Sequence, residues 1–343
     1  MNDKLNLFFR LALIAVALTY GVILLGAFTR IENAGLGCPD WPGCYGRVFA
    51  PTTPAQIEQA QRYAPHADVS PGKAWKEMVH RYAAGILSLV IIGLAIVGMQ
   101  LQRRRHYARY LLPLLVVVLL IFQAVLGMLT VLWKLNPLIV MGHLLGGFTI
   151  LALLWWITLR ERRFFRPVAT SPLTRRLRWL ALIALVIVIV QIALGGWTSA
   201  NYAGLACPDF PTCQGQWWPH MNFTDGFTLW HKLGINYDGG VLSLAAATAI
   251  HMAHRLGALV TFLYVGGLSL YIIAAGRADH LCRYGLALLI VLLTQVTLGI
   301  LNVLTHLTVP FVVAHNGVAA LLLLTVITLN HVVRPGTDEG GIP

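Results

Sequence analysis

"GLGCPDWPGC" fills residues 35–44, and 169 positions later the chain reads "GLACPDFPTC" at 204–213. The cysteine stretch is one of an ordered set. "EMVHR" at 77–81 returns as "HMAHR" at 251–255, "QAVLGMLTVL" at 123–132 as "QVTLGILNVL" at 295–304, and "VMGHLLG" at 140–146 as "VVAHNGV" at 312–318. The displacements are 169, 174, 172 and 172. A near-constant displacement over four motifs predicts one unit copied in tandem. The boundary falls in the basic, proline-containing segment 160–178, giving halves 1–168 and 169–343.

Composition identifies the solvent. With 57% hydrophobic residues, 11% charged residues and a mean hydropathy of +0.72, the 343-residue chain is not a water-soluble domain. Apolar runs of spanning length, about 20 residues each, lie at Leu11–Ile31, Val79–Leu101, Tyr110–Trp133, Leu138–Leu159, Trp179–Ser199, Ile250–Ala275, Tyr284–Leu304 and Phe311–Val333. The expected fold is therefore all-α: eight transmembrane helices in two tandem four-helix bundles. An even number of spans per unit points both copies the same way, a parallel pseudo-twofold repeat. The first run is read as a retained span because no small-residue cleavage site follows it.

The net charge of +12 does not indicate nucleic acid, because 16 of the 25 Lys/Arg fall in the termini and in the segments 102–109, 160–178 and 276–283, all on one side of an eight-span chain. That side is read as cytoplasmic, with both termini there. Membrane lipid is the expected surrounding, and a role with lipid headgroups can be added. The loops 32–76 and 200–249 then face outward, into the periplasm or the extracellular space. Cysteines 38, 44, 207 and 213 form two local pairs there, where disulfides persist, and Cys282 is a free thiol in an inward loop.

Of the twelve histidines, His66, His106, His220, His280, His306 and His331 fall in loops or at helix ends and are read as solvated or interfacial. His80, His143, His254 and His315 recur between the copies inside the membrane, where an ionisable residue is costly enough to signal function. His80 and His143 both lie near the outer ends of their helices, at matched depth, and His254 and His315 repeat the arrangement. Two imidazoles from facing helices, with no Cys, Asp or Glu completing a tetrahedral set, suit the axial positions of haem iron better than zinc. The alternative use of each ring is a hydrogen bond to a neighbouring helix. Gly85, Gly127, Gly142, Gly146, Gly147, Gly257, Gly299 and Gly317 leave room for a flat macrocycle or for close helix contact. Arg81 and Arg255 follow the ligands and are candidate contacts for haem propionates, or cations reaching the headgroups.

The copies differ where chemistry is to be sought. Glu77 stands three residues before His80, whereas His251 stands three before His254. Positions i and i+3 share a helix face, so Glu77 is the candidate catalytic group, able to exchange protons or steady a developing cation beside whatever His80 holds. His251 is either a third pocket residue or a hydrogen-bonding group. The asymmetry suggests a first half that holds a porphyrin to be acted on and a second half whose porphyrin stays and carries electrons.

In their joint order these motifs resemble the haem A synthases of bacteria and mitochondria over nearly the whole chain. The resemblance implies oxidation of the C8 methyl of haem O to the formyl of haem A through an alcohol stage, for haem-copper terminal oxidases. It implies that His80 and His143 flank haem O, that His254 and His315 ligate a resident haem b, and that Glu77 is essential. It implies partners too: a haem O synthase that supplies the substrate and an external electron donor, ferredoxin-like where known, since no flavin, nicotinamide or FeS motif is present. A homo-oligomer is compatible with the resemblance. Cys38 with Cys44 and Cys207 with Cys213 look like the family's loop pairs, as a structural tie first and a redox-sensitive element in haem delivery second. The short amino terminus favours a bacterial inner membrane.

Two other classes fit part of the pattern. A bis-histidine cytochrome b carrying electrons explains the four histidines but not Glu77 against His251. A haem transporter draws on the repeat but lacks a helix broken at mid-membrane. "PAQIEQAQRY" at 54–63 is expected to form an amphipathic surface helix, and His231 in "TLWHKLG" is placed either near the second haem or at the interface.

Overall fold

A computed structural model describes residues 2–65, 67–105, 111–161, 165, 168–230, 232–275 and 281–334. His66, His106, His231 and His280 lie outside the described residues. Eight helices are long and apolar enough to cross a membrane: α1 (Asn2–Ile31), α3 (Pro71–Arg105), α4 (Leu112–Leu132), α5 (Pro137–Glu161), α6 (Pro172–Ala200), α8 (Leu244–Ala275), α9 (Cys282–Leu304) and α10 (Val309–Val332). In hydrocarbon every backbone polar group needs an internal partner, which a helix supplies within its own segment. Outside the spans lie α2 (Pro54–Tyr63) and the single-turn α7 (Phe223–Gly226). Among the described residues there is no strand, only two isolated bridges.

The surface helix expected at 54–63 forms, started by a capping box in which Thr53 and Gln56 satisfy each other's backbone N–H groups. Four spans begin well before hydropathy places them: α1 at Asn2 rather than Leu11, α3 at Pro71 rather than Val79, α6 at Pro172 rather than Trp179 and α8 at Leu244 rather than Ile250. Lys73, Lys76 and Glu77 depress the local hydropathy, yet their backbone is helical and packs under the first cysteine loop. Gly37 shows how closely: a Cβ there would lie 2.6 Å from the Lys73 carbonyl carbon.

In the first half α1 packs on α3 and α5, and α4 joins α3 to α5; in the second α8 packs on α6 and α9, and α10 on α6 and α9. The halves meet through α1 with α10 and through α5 with α6 and α10. Trp155 donates to Thr328 Oγ1 across this seam at 2.9 Å, and His331, buried rather than interfacial as expected, meets the Trp156 ring edge-on with centroids 5.4 Å apart. Its place at a helix end does not expose it, because α10 is wedged between α5 and α6.

The inner half of each bundle is filled by a regular stripe. Seven, eleven and fourteen residues past His80 come Leu87, Ile91 and Leu94; past His143 come Ile150, Leu154 and Ile157; past His254, Thr261, Val265 and Leu268; past His315, Leu322, Val326 and Leu329, all buried. That spacing keeps one helix face, so each imidazole stands at the outer end of the face that builds the core. In a membrane this stripe holds the helices by close packing rather than by exclusion from water.

Candidate functional site

The two long cysteine-bearing loops fold alike around their cysteines. Cys38–Cys44 and Cys207–Cys213 are both disulfides, with Cα atoms 4.8 and 4.6 Å apart, and Cys282 is free. Directly after each bridge come two residues of positive φ, Tyr45 (54°) with Gly46 (70°) and Gln214 (56°) with Gly215 (73°). Consecutive left-handed residues are what a two-residue hairpin turn requires, with glycine tolerating the second position. The Asp of each Cys-Pro-Asp staples that turn. Asp40 accepts from the N–H groups of Tyr45 (2.6 Å) and Gly46 (2.8 Å), and Asp209 from those of Gln214 (2.6 Å) and Gly215 (3.0 Å).

Both arginines are turned to these loops. Arg81 donates to the carbonyls of Asp40 (2.9 Å), Pro42 and Gly43, and Arg255 to those of Cys207 (3.2 Å), Asp209 (2.7 Å) and Thr212 (2.8 Å). Each guanidinium thus ties a disulfide hairpin to the helix that carries the neighbouring histidine. Arg81 Nη2 and Arg255 Nε are buried without a protein partner, leaving each side chain a donor in reserve.

Beneath the loops the structure brings the four histidines together in two pairs. His143 is near enough to His80, and His315 to His254, for the rings to interact electrostatically. Each ring lies deep among protein atoms, yet each residue keeps an intermediate accessible area. The packed edge always meets a glycine on the preceding spanning helix. A Cβ would lie 3.2 Å from His80 Cε1 at Gly26, 3.0 Å from His143 Cε1 at Gly127, 3.0 Å from His254 Cε1 at Gly195 and 3.1 Å from His315 Cε1 at Gly299. A Cβ at any of the four would require the imidazole to give by a few tenths of an ångström.

Three of these glycines follow a glutamine by four positions. Gln123 Nε2 donates to the His143 carbonyl at 2.6 Å, and His143 Nδ1 faces the Gln123 carbonyl at 3.2 Å. A carbonyl can only accept, so Nδ1 carries the proton and Nε2 keeps its lone pair for a metal. Gln191 Nε2 meets His254 Nδ1 at 3.0 Å and the His254 carbonyl at 3.1 Å, and Gln295 Nε2 meets His315 Nε2 at 3.2 Å. On α1 the corresponding residue is Val22. Its main chain faces His80, but His80 Nδ1 makes no hydrogen bond of normal geometry.

The two halves part company one turn before the first of the paired histidines in each. Glu77 is 8% exposed and receives the Arg81 Nε–H at 3.0 Å, while Lys76 turns away to pair with Glu32. His251 is 5% exposed and its Nδ1 donates to the Ala203 carbonyl at 3.1 Å. Of the two uses left open for His251, the hydrogen bond is the one present.

Among the described residues no group of three or more His, Cys, Asp and Glu could hold a bare metal ion. The residues do fit a haem at each pair: two neighbouring imidazoles that keep accessible area, a glycine behind each ring and a buried arginine donor beside them. An apolar pocket of about 490 Å³ between α1 and α10, lined by Tyr20, Leu24, Phe28, Val313, Ala314 and Gly317 among others, contains none of the four histidines.

Reading the sequence for glycines found Gly127 and Gly299 but missed Gly26 and Gly195, and assigned no part to the glutamines. The signal was present. "QAVLG" at 123–127, "QIALG" at 191–195 and "QVTLG" at 295–299 share Gln-x3-Gly, and "VILLG" at 22–26 is the exception.

A family model described as cytochrome oxidase assembly protein, COX15-CtaA, matches residues 9–327. Similar curated proteins include the heme A synthase of Shewanella oneidensis, 44% identical over 93% of this chain and 94% of its own. The heme A synthase of Granulibacter bethesdensis is 25% identical over 91% of this chain and 83% of its own, and that of Bacillus pumilus 22% identical over 90% of each.

Proposed function

The chain belongs to the COX15-CtaA family of cytochrome oxidase assembly proteins, and from that premise we propose how its two histidine pairs divide the work of a haem A synthase. The first half, residues 1–168, binds haem O between His80 and His143 as substrate. The second half, 169–343, holds a resident haem b between His254 and His315. The observation that carries the division is Glu77, a buried carboxylate one turn before His80, where the second half has a neutral-capable imidazole, His251.

Oxidation of a methyl group to a formyl group removes two electron pairs and passes through a hydroxymethyl stage. A haem b in the second half would supply electron transfer. The remaining work falls to the protein. His80 and His143 fix the plane and height of the substrate. The inner stripe of Leu87, Ile91, Leu94, Ile150, Leu154 and Ile157 closes the bundle below it and limits entry of water from that side. Glu77, held by Arg81, keeps a proton-exchanging or charge-stabilising group at the outer edge of the substrate's seat. Arg81 Nη2 and Arg255 offer donors to propionates at the mouths of the two sites. With dioxygen as the oxidant, each two-electron oxidation of the substrate also takes up two electrons and two protons and releases water, so the electrons come from a separate donor; haem O comes from a haem O synthase.

The chain is a multi-pass membrane protein. The Lys/Arg distribution supports cytoplasmic termini, and two disulfides on the opposite face support outward loops.

The test is expression in cells that make haem O but lack haem A, with extraction of the porphyrins. The formyl product is expected. Full haem loading with no formyl product would instead favour a bis-histidine electron carrier.

A further inference from the structure

At the end of the seam away from the disulfide hairpins, α5, α6 and α10 pack on one another. Asn330 Nδ2 on α10 donates to the Ala181 carbonyl of α6 at 2.9 Å, which sets the level of these two antiparallel helices. Arg178 stands three residues nearer the start of α6, and Arg334 four residues past Asn330, so both lie about one turn beyond that contact. On α5 the layer is marked by Trp156, whose ring meets His331 edge-on and has Arg334 Cζ 5.8 Å from its centroid. Arg160 follows Trp156 by one turn and lies within electrostatic reach of both His331 and Arg334. Three arginines from three helices thus gather at one end of the seam, beside a buried histidine.

The cluster is short of partners. His331 is 1% exposed, and although the Phe165 main chain faces its ring, Nδ1 makes no hydrogen bond of normal geometry; Arg178 Nε is also buried without a partner. None of the ion pairs among the described residues includes Arg160, Arg178 or Arg334. Like charges gathered in this way repel, most strongly where protein excludes water. The duplicated scaffold does not require the charge, because the 169-residue displacement that relates α6 to α1 puts Phe9 in place of Arg178. We propose that Arg160, Arg178 and Arg334 form a phosphate site that takes the headgroup of one anionic phospholipid and ties the two halves together at this end. A guanidinium meets phosphate oxygens with two parallel donors, and basic pockets between spanning helices are suited to anionic headgroups. Position selects a lipid over a free ion. The three helices end or begin here, and Trp179, next to Arg178 and 68% exposed, stands where tryptophan meets the headgroup layer.

The experiment uses the full chain, purified in detergent, with native mass spectrometry to count retained lipid and thermal unfolding to measure stabilisation. The probes are dioleoylphosphatidylglycerol, dioleoylphosphatidylcholine and inorganic phosphate. One phosphatidylglycerol should bind about 100-fold tighter than phosphatidylcholine, as three arginines beside one headgroup provide, and should raise the melting temperature. Arg178→Gln or Arg334→Gln should each lower that preference about fivefold, and Arg178→Lys, which keeps the charge but not the planar fork, should lower it less. Arg176→Gln removes the same charge from the same helix, but Arg176 lies over the Tyr271 ring of α8, and the preference should stay unchanged. The ratio of the two lipid affinities is read within each variant, so lowered stability alone does not imitate the loss. Equal affinity for the two lipids, or an equal loss in Arg176→Gln, would overturn the site. Stabilisation by inorganic phosphate at the same concentration would overturn the lipid as its occupant.

Discussion

The first half closes over its histidines with an ion pair, the second with a neutral hydrogen bond. In the first, Glu77 and Arg81 form a contiguous charged unit that continues into the Asp40, Pro42 and Gly43 carbonyls of the disulfide hairpin. In the second, Arg255 grips the equivalent hairpin but has no carboxylate on its own helix, and His251 reaches instead to Ala203. Scaffold, disulfide, turn and arginine are shared; the group one turn before the first paired histidine is not. Shared supports with one ionisable residue changed are what the proposed division between a haem acted on and a haem retained requires.

The largest expected effect breaks the two halves apart. His254→Ala or His315→Ala should abolish the stable b-type spectrum, while His80→Ala or His143→Ala should leave that spectrum and abolish formyl product. Absorption spectra of the reduced proteins, read beside porphyrin extraction, check this directly, and a b-type spectrum surviving the His254/His315 double variant would refute the assignment.

The next effect sharpens the chemical difference. Glu77→Gln should lower turnover about 100-fold, the lower end of what a positioned proton-transfer group contributes, with haem content retained. His251→Gln, which keeps a donor for Ala203, should cost less than about threefold. Equal losses from the two substitutions would erase the distinction between the halves.

The smallest effect concerns the hairpins. Asp209 is held below the ordinary carboxylate range, chiefly by the Thr212 hydroxyl and then by the N–H groups of Gly215 and Gln214. A depressed folded value means the staple is fully present above the ordinary aspartate value, near pH 4, and is lost as pH falls through the lowered one. The first hairpin has Gly43 in place of Thr212 and lacks the hydroxyl. Thr212→Ala should therefore move the acid transition of the second hairpin upward, followed by the fluorescence of the exposed Trp217 and Trp218. An unchanged transition would show that the hydroxyl does not set it.

Much of this was legible in one dimension. The eight spans follow from hydropathy, since only about 20 apolar residues are needed to read one. The histidine pairs follow from repeated displacement and matched depth. The start of α3 was misplaced because hydropathy registers side chains, whereas the backbone of Lys73, Lys76 and Glu77 is helical regardless. Arg81 and Arg255 were read toward propionates or headgroups. Nothing in a list of residues states that backbone carbonyls from residues about 40 positions earlier arrive beside the guanidinium.

The sequence by itself determined the eight apolar spans, the recurrence of four motifs at a near-constant displacement and the identity of the ionisable groups within the spans. Each of these is a property of composition or of distance along the chain. Only the tertiary structure decided which helix stands behind each imidazole, that a glutamine lies beside three of the four rings, and that α1 and α10 join the halves. A helical period tells which residues share a face but not which face it meets. That choice is made by side-chain packing between segments far apart in the chain.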